Sequence, residues 1–467
     1  MKTSVVILAA GLGTRMRSKQ AKVLHRAGGL SLVEHVVLAA GAVTTRDRIV
    51  VVTGHQADTV EDLLAPMGVG FARQVQQKGT GHAVMCAREQ LQKADPKQDG
   101  LLLVLYGDTP LLSAAALKQL REAQSKSDAA ATLITTTLAD PTGYGRVIID
   151  DAGNVVGIVE HKDANAEQLQ VRVINSGIYC FRAKLLWKHI VEIKPNAASG
   201  ELYLTDMAAI LNRHGQRVQA LHLDDSSELL GINTRVELAE ADRILRARKA
   251  RELMLAGVTI ERPETVAIDA QVRIGTDTVV EPFARLLGNT AIGEDCHIGQ
   301  GAILESAELA DRVVVAPYTL IADSRVDPGA QVGPFARVRM HAQVGPEARV
   351  GNFVELKKTR LGAGAKSQHL AYLGDSEIGE RVNVGAGTIT CNYDGEKKHV
   401  TKIGAGAFIG SNSTLVAPVE IAQDSYVAAG SVITEAVPSH ALALGRARQV
   451  NKAGWVKNRK KKIAKKS

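Results

Sequence analysis

Aromatic side chains are scarce: two Trp, eight Tyr and six Phe make up only 3% of the 467 residues. A core built on ring packing is excluded, so the buried side chains must be aliphatic. Cysteine is scarcer still. Cys86, Cys180, Cys296 and Cys391 lie about a hundred residues apart, with no C-x-x-C pair and no metal-ligand spacing, which excludes a disulfide framework and a zinc module. They read as buried small hydrophobes in a reducing cytoplasm. No apolar run reaches the roughly 18 residues of a membrane span. The N-terminal MKTSVVILAAGLGTR passes from a short apolar stretch into a glycine turn rather than a cleavage site, so it is no signal peptide. A cytoplasmic chain with no membrane partner is expected. With 45% apolar and 23% charged residues it is neither disordered nor collagen-like, and its length suits two or three domains.

Acidic residues are outnumbered, 49 to 57, leaving a net charge of +8 and a pI near 9.2. Such a balance points to nucleic acid, a membrane surface or a phosphorylated substrate. The excess is local. Eight Lys and Arg and no acid fall in KAGWVKNRKKKIAKKS (452–467), and the other 49 basic residues are matched by 49 acidic ones. The tail reads as a solvated, partly disordered segment, and the body is not expected to bind nucleic acid.

Two halves differ in period. Residues 1–235 alternate buried-strand runs, VVILAA (5–10), RIVVVTG (48–54), LLLVLYGD (101–108) and AATLITTTL (130–138), with helical stretches at 32–42, 81–92 and 114–124. That order predicts an open, mainly parallel α/β sheet with ligands beyond the carboxyl ends of its strands. Residues 236–256, without an interior proline and rich in charge, read as a long, mostly exposed linker helix. From 257 to 451 aliphatic residues recur every six positions, as in Val326, Val332, Val338, Val344, Val350 and Leu356, or Ile403, Ile409, Leu415, Ile421, Val427 and Ile433. Six matches neither helix nor hairpin; it is the hexapeptide signature of a parallel β-helix, whose stacked coils need modest aliphatic side chains and so explain the missing aromatics. The repeat breaks at 359–376 and 391–400, which are expected to be external loops.

Chemistry gathers at two strand ends. In LAAGLGTRM (8–16), Gly11 and Gly13 leave backbone N–H groups accessible, and Arg15 and Lys22 can neutralise phosphate. Met16 stands where a dinucleotide fingerprint needs glycine, and no Walker A sequence is present. Taken alone, the loop also fits a tight strand-to-helix turn. Asp108, at the end of a buried strand, can hold Mg²⁺ against phosphate oxygens or simply cap a turn.

Together with QQKGTGHA (76–83), YGDTPL (106–111), GYGR (143–146), IVEHKDA (158–164), NSGIY (175–179) and GINTR (231–235), these segments resemble the sugar-phosphate nucleotidyltransferases. With the β-helix behind it, the chain resembles the bifunctional members that join a uridyltransferase to an acetyltransferase. The resemblance implies a Rossmann-like α/β nucleotidyltransferase domain followed by a left-handed parallel β-helix. It implies a UDP-sugar site of Leu8, Ala9, Ala10, Gly11, Arg15, Lys22, Gln74, Gly79, Thr80, Tyr106, Gly107, Asp108, Gly145, Glu160, Asn175 and Asn233, with Mg²⁺ held by Asp108 and Asn233. One departure is Ala21, where the family pattern has proline before the lysine.

The second site is implied by HLAYLGD (369–375), NVGAGT (383–388) and CNYDG (391–395). Acyl transfer to an amine needs a base, and histidine suits that work. The resemblance makes His369 the proton acceptor and gives Arg339, Lys357, Tyr372 and Asn383 to glucosamine phosphate. It gives Ala386, Asn392, Tyr393, Ser411, Ala429 and Arg446 to acetyl-CoA, in a homotrimer whose sites lie between subunits. Met340 and His341 replace the family's Pro-Gly beside Arg339. The implied function is acetylation of glucosamine 1-phosphate, then UMP transfer from UTP to N-acetylglucosamine 1-phosphate with release of pyrophosphate. A single-activity nucleotidyltransferase with a structural or regulatory β-helix is the alternative, against which the His369 and CNYDG segments argue. The tail, following Arg446, could also lie near the acetyl-CoA site and attract its phosphates.

Overall fold

The computed structural model describes residues 2–197 and 199–464. The chain divides into two compact units, Met1–Arg248 and Lys249–Ser467.

The first unit carries strands β1 (Thr3–Leu8), β2 (Arg26–Ala27), β3 (Leu30–Ser31), β4 (Ile49–Thr53), β5 (Gly70–Arg73), β6 (Leu101–Tyr106), β7 (Ala131–Thr137), β8 (Arg146–Ile149), β9 (Val155–Val159), β10 (Val173–Arg182) and β11 (Val218–His222). Its helices are α1 (Leu32–Ala40), α2 (Ala57–Leu64), α3 (Thr80–Cys86), α4 (Arg88–Ala94), α5 (Ala114–Lys126), α6 (Ala183–His189) and α7 (Asp206–Arg213). The main sheet runs β11-β7-β10-β6-β1-β4-β5, with β8 and β9 added beside β10, while β2 and β3 form a separate hairpin. The apolar strands are buried on both faces. Val5 and Ile7 of β1 join Leu101, Leu103 and Leu105 in one core, and Val6 and Leu8 join Leu102 and Val104 in the other. Each such side chain contributes roughly 1.5–3 kcal/mol of burial, an upper bound given a compact unfolded chain.

The expected sheet was mainly parallel, and β1 does lie parallel to β4 and β6. β10, however, runs antiparallel to both β6 and β7. It follows the β8–β9 hairpin with no crossover helix, so the chain returns in the opposite direction. The helix expected over 81–92 is two, α3 and α4, broken at Ala87. Helix α1 starts on a capping box, Ser31 accepting from the Glu34 N–H and Glu34 from the Ser31 N–H.

Helix α8 (Arg235–Leu255) carries the chain from one unit to the other. Its first half lays Leu238, Ala241, Ile244 and Leu245 against Ala27, Leu32, Leu111 and Ile232 of the first unit. Its second half gives Ala250 and Leu253 to the core of the second. It is thus partly sunk at both ends rather than a bare connector.

Among the described residues of the second unit, strands of two to four residues form three parallel sheets of 11, 10 and 9 strands, each strand pairing with the third one on except at the end, where Tyr426–Val427 pairs with Leu442–Ala443, the second one on. Successive members of the six-residue runs fall on the three sheets in turn: Val326 pairs Val344, Val332 pairs Val350 and Val338 pairs Leu356. This is the left-handed β-helix, and its interior is one continuous aliphatic column.

The break expected as a loop at 359–376 is not one. Strands continue at Arg360–Leu361, Lys366–His369, Tyr372–Gly374 and Ser376–Ile378. The coil is merely one residue shorter, pairing Val344 with Leu361, Val350 with Ser367 and Leu356 with Leu373. The break at 391–400 is a true insertion: Ile378 pairs Ile403, a longer step than Ile403 to Ile421.

The tail is also more ordered than expected. Residues Trp455–Ala464 form helix α9, exposed throughout; the last part of 452–467, residues 465–467, lies outside the described residues. All four cysteines are unpaired, with Cys180 and Cys296 buried and Cys86 and Cys391 half-buried. Among the described residues no helix is long and apolar enough to cross a membrane.

Candidate active sites

In the first unit, the carboxyl ends of β1 and β6 open onto a cavity of about 460 Å³. Eleven of the sequence-predicted residues line it: Leu8, Ala9, Ala10, Gly11, Lys22, Gln74, Gly79, Thr80, Tyr106, Asp108 and Asn233. Its polar end is a charge cluster. Lys22 Nζ donates to Asp108 Oδ2 and, at 3.1 Å, to Asn233 Oδ1; Arg15 Nη2 reaches the same Asn233 oxygen at 2.8 Å. Glu237 holds Asn233 in turn, accepting from the Thr234 N–H at 2.8 Å and from that of Asn233 itself. A carboxylate and an amide oxygen thus face one point, now spanned by the lysine ammonium. Such hard oxygen donors, completed by phosphate oxygens, fit Mg²⁺.

Four further predicted residues lie beside this cavity rather than in its lining. Gly107 donates its N–H to Leu8 O at 2.9 Å, and Gly145 O accepts from Asn175 N at 2.9 Å. Asn175 sits where the β10 register slips, and its Oδ1 accepts from the Tyr179 hydroxyl at 3.0 Å. The slip requires Gly177, with φ +78°, because a Cβ there would lie 2.5 Å from the Tyr106 ring. Glu160 Oε1 accepts from Thr205 Oγ1 at 3.4 Å, and burial raises its carboxyl above the usual range. Burial, then the charges of Glu160 and Asp108, pushes the Tyr106 phenol up.

Sequence reasoning missed Leu12, Val23, Gln77, Ala83 and Glu201, which also line the cavity. Gln77 donates to Ala10 O at 2.6 Å and stands in the QQKGTGHA segment that signalled the site.

In the second unit, Arg339 and Lys357 are register partners on one sheet, and Tyr372 stands opposite Glu355 in the same sheet. Arg339 Nε donates to Glu355 at 2.7 Å. Lys357 Nζ lies 3.3 Å from Asp375, both side chains being 7% exposed, and Asn392 donates to the same carboxylate. The Lys357 ammonium pushes the Lys398 amine down.

His369 lies on a strand of the adjoining sheet, not in a loop, and pairs in register with Asn352. Its Nδ1 is 2.8 Å from Asn352 Oδ1. Since that oxygen accepts, the proton belongs on Nδ1, which leaves the Nε2 lone pair free. Asn352 was not foreseen; the coil step that brings it to His369 lies outside any local motif. Asn383, on the strand Asn383–Val384, is half-buried.

The pairing of Val384 with Ile409 and of Ile409 with Val427 sets Ala386, Ser411 and Ala429 at one corner of successive coils. Asn412 N donates to Ala386 O at 2.7 Å and Gly430 N to Ser411 O at 2.8 Å. Arg446 passes next, its Cδ 3.8 Å from where a Cβ on Gly430 would be. Asn392 is the residue that donates to Asp375. Tyr393 is exposed on the insertion, its hydroxyl donating to Gly395 O.

Comparison with known proteins follows the same division. The MobA-like NTP transferase domain family matches residues 5–170, the hexapeptide repeat of succinyl-transferase residues 289–316, and the bacterial transferase hexapeptide (six repeats) residues 401–435. The bifunctional protein GlmU of Solibacter usitatus (strain Ellin6076) is 55% identical over 458 residues, covering 98% of this chain and 97% of that protein. That of Koribacter versatilis (strain Ellin345) is 47% identical over 468 residues, covering 100% and 99%. That of Brevibacillus brevis is 47% identical over 466 residues, covering 100% of both. With identity of this order along its whole length and both sets of repeats in place, the chain belongs to the bifunctional GlmU family.

Proposed function

We propose that the second unit acetylates glucosamine 1-phosphate with acetyl-CoA and that the first transfers UMP from UTP to the resulting N-acetylglucosamine 1-phosphate, releasing pyrophosphate. The observation that carries this reading is the presence of two polar sites of different chemistry, one in each unit: Lys22, Arg15, Asp108 and Asn233 in the first, and the His369–Asn352 pair in the second.

At the first site the nucleophile is a phosphate monoester, already largely dianionic because its second pKa is about 6. It needs no general base. The site orients the two phosphates and neutralises charge, with Lys22 and Arg15 as fixed cations. Mg²⁺ would be held by Asp108 and Asn233 and would supply further positive charge against phosphate oxygens. Gln74, nearly buried, donates to Gly79 O and faces His82 Nδ1, both at 3.0 Å, which fixes its amide in the cavity wall to meet a base edge. Glu160, Asn175 and Gly145 form the shelf for the sugar.

At the second site Arg339 and Lys357 receive the sugar phosphate. His369 Nε2 takes the proton that the attacking amine sheds as the C–N bond forms, and returns it to the sulfur as the C–S bond breaks and coenzyme A leaves as the thiol. The Ala386, Ser411 and Ala429 corner presents small side chains and open backbone to an elongated acyl carrier, and Arg446 offers charge to its phosphates. His369 is exposed, which suits a site completed by another subunit. A line of exposed corner residues, with Tyr318, Phe335 and Phe353 stacked at 5.4 Å centroid spacings, supplies an apolar edge for association as a homotrimer. The free thiols suit a reducing cytoplasm.

The test is one assay of the whole chain with acetyl-CoA, glucosamine 1-phosphate, UTP and Mg²⁺, each omitted in turn, on wild type and His369→Ala. The variant is expected to lose acetyl transfer by about 10²–10⁴-fold, the usual worth of a general base, and to keep uridylyl transfer. Equal loss of both would overturn the two-site assignment.

A further inference from the structure

Helix α6 ends at His189 and runs into a single 3-10 turn, Ile190–Glu192; helix α7 ends just before His214. These two helix ends bring three ligating side chains together. Glu192 Oε1 lies 2.7 Å from His189 Nδ1, and Glu192 Oε2 lies 2.9 Å from His214 Nε2. The imidazole rings are 4.1 Å apart between centroids, at 35°. One donor atom from each residue falls within 4.8 Å of the others. His189 is buried, Glu192 half-buried and His214 exposed, so the cluster is anchored on one side and open to solvent on the other.

None of the three belongs to the nucleotide cavity or the acetyl-transfer residues. We propose that His189, Glu192 and His214 form a binding site for a divalent transition ion of the zinc class, with solvent in the remaining coordination position. Two imidazole nitrogens and one carboxylate oxygen are a common zinc ligand set, at about 2.0–2.2 Å from the ion. Tetrahedral ligands at that distance lie somewhat over 3 Å apart, so the two His–Glu separations need to open by only about half an ångström, and the two imidazole nitrogens already lie within 4.8 Å of each other. Imidazoles also select against Mg²⁺ and Ca²⁺, which take oxygen ligands.

The chain between the two helix ends gives the ion its role. Leu202 O accepts from Gly81 N at 2.8 Å, Leu202 N donates to Lys78 O at 2.8 Å, and Leu204 N donates to Thr80 Oγ1 at 3.0 Å. Glu201 lines the nucleotide cavity. An ion joining residues 189 and 192 to 214 closes this connection at its base and fixes the ends of a segment that lends Glu201 to the cavity lining.

The experiment uses the full-length protein with Zn²⁺ as probe, in competition with a chromophoric chelator and in excess Mg²⁺ to occupy the oxygen-donor site. Wild type is compared with His214→Ala and Glu192→Gln. His214 is exposed, so its truncation leaves the core intact, which circular dichroism checks. The expected result is one tightly held zinc per chain in wild type, at least tenfold weaker binding in each variant, and a zinc-dependent rise in Tm that His214→Ala lacks. Co²⁺ should give the visible bands of a low-symmetry four-coordinate site in wild type only. Zinc affinity unchanged by His214→Ala, or no uptake by wild type, would overturn the proposal and leave a hydrogen-bonded cluster only.

Discussion

At Ala21 the backbone N–H donates to Gln56 Oε1 at 2.7 Å, and Gln56 Nε2 reaches back to Lys19 O at 2.8 Å. A proline would have no N–H to give, yet Ala21 sits at φ −56°, the angle a proline ring imposes. Gln56 therefore performs, through two hydrogen bonds, the restraint that the family pattern assigns to a ring. Gln56→Ala is expected to lower the kcat of uridylyl transfer roughly tenfold or more by loosening Lys22, with acetyl transfer unchanged. Adding Ala21→Pro to that variant should recover part of the rate. Steady-state kinetics check this; an unaffected Gln56→Ala enzyme would show that the Lys22 loop is held by something else.

Glu160 lends itself to a test by pH. Burial raises its carboxyl above 4.5, so over the window from 4.5 upward to its raised value the folded protein holds a proton that the unfolded chain releases. Stability then falls as pH rises through that window and stays reduced above it. Glu160→Gln cannot ionise. Its Tm should exceed that of wild type at pH 7–8, and the gap should close as pH falls below 4.5, while the KM for the sugar phosphate rises. A gap that widens on acidification would contradict this account.

At the scale of elements, the left-handed coil turns its corners with residues at positive φ, and many are not glycine: Phe283, Tyr318, Phe335, Phe353, Met340 and His341 all lie between +55° and +64°. Met340 and His341 thus follow the practice of the whole β-helix. Four aromatics that the column does not use, Phe283, Tyr318, Phe335 and Phe353, stand on these corners. Much of this was legible in the sequence, because each sixth aliphatic residue must land on the next sheet. The coil at 359–376 was not, for two physical reasons. One missing residue shifts the phase of the repeat just as an inserted loop would, and Ser367 fills an inward position between Val350 and Val384. Likewise an apolar strand reads the same in either direction, so the reversed course of β10 left no mark. Among the described residues the buried Ser367 hydroxyl has no hydrogen-bond partner. Ser367→Ala removes that desolvated group without changing the volume of the column and should stabilise the unit by about 1 kcal/mol, read as a raised Tm. A lowered Tm would mean that the hydroxyl is bonded, for instance through a buried water.

For the whole molecule, charge is the property that most needs relocating. The +8 of the chain is carried by 452–467, and what is described of that segment is helix α9, with Arg459 over the Trp455 ring at 5.2 Å. A cationic helix a few residues beyond Arg446 raises the local concentration of a polyanionic cofactor such as acetyl-CoA without having to contact it. The effect is long-ranged and fades as salt shortens the Debye length to about 8 Å at physiological ionic strength. Removing 452–467 should therefore raise the KM for acetyl-CoA several-fold at low salt and progressively less as salt is added, with the truncated and full chains converging. Uridylyl transfer should not change, since its cations, Lys22 and Arg15, are fixed by Asp108 and Asn233 in the other unit. A KM that is the same with and without the tail at every ionic strength would reduce α9 to a solvated appendage and leave Arg446 to hold the cofactor's phosphates.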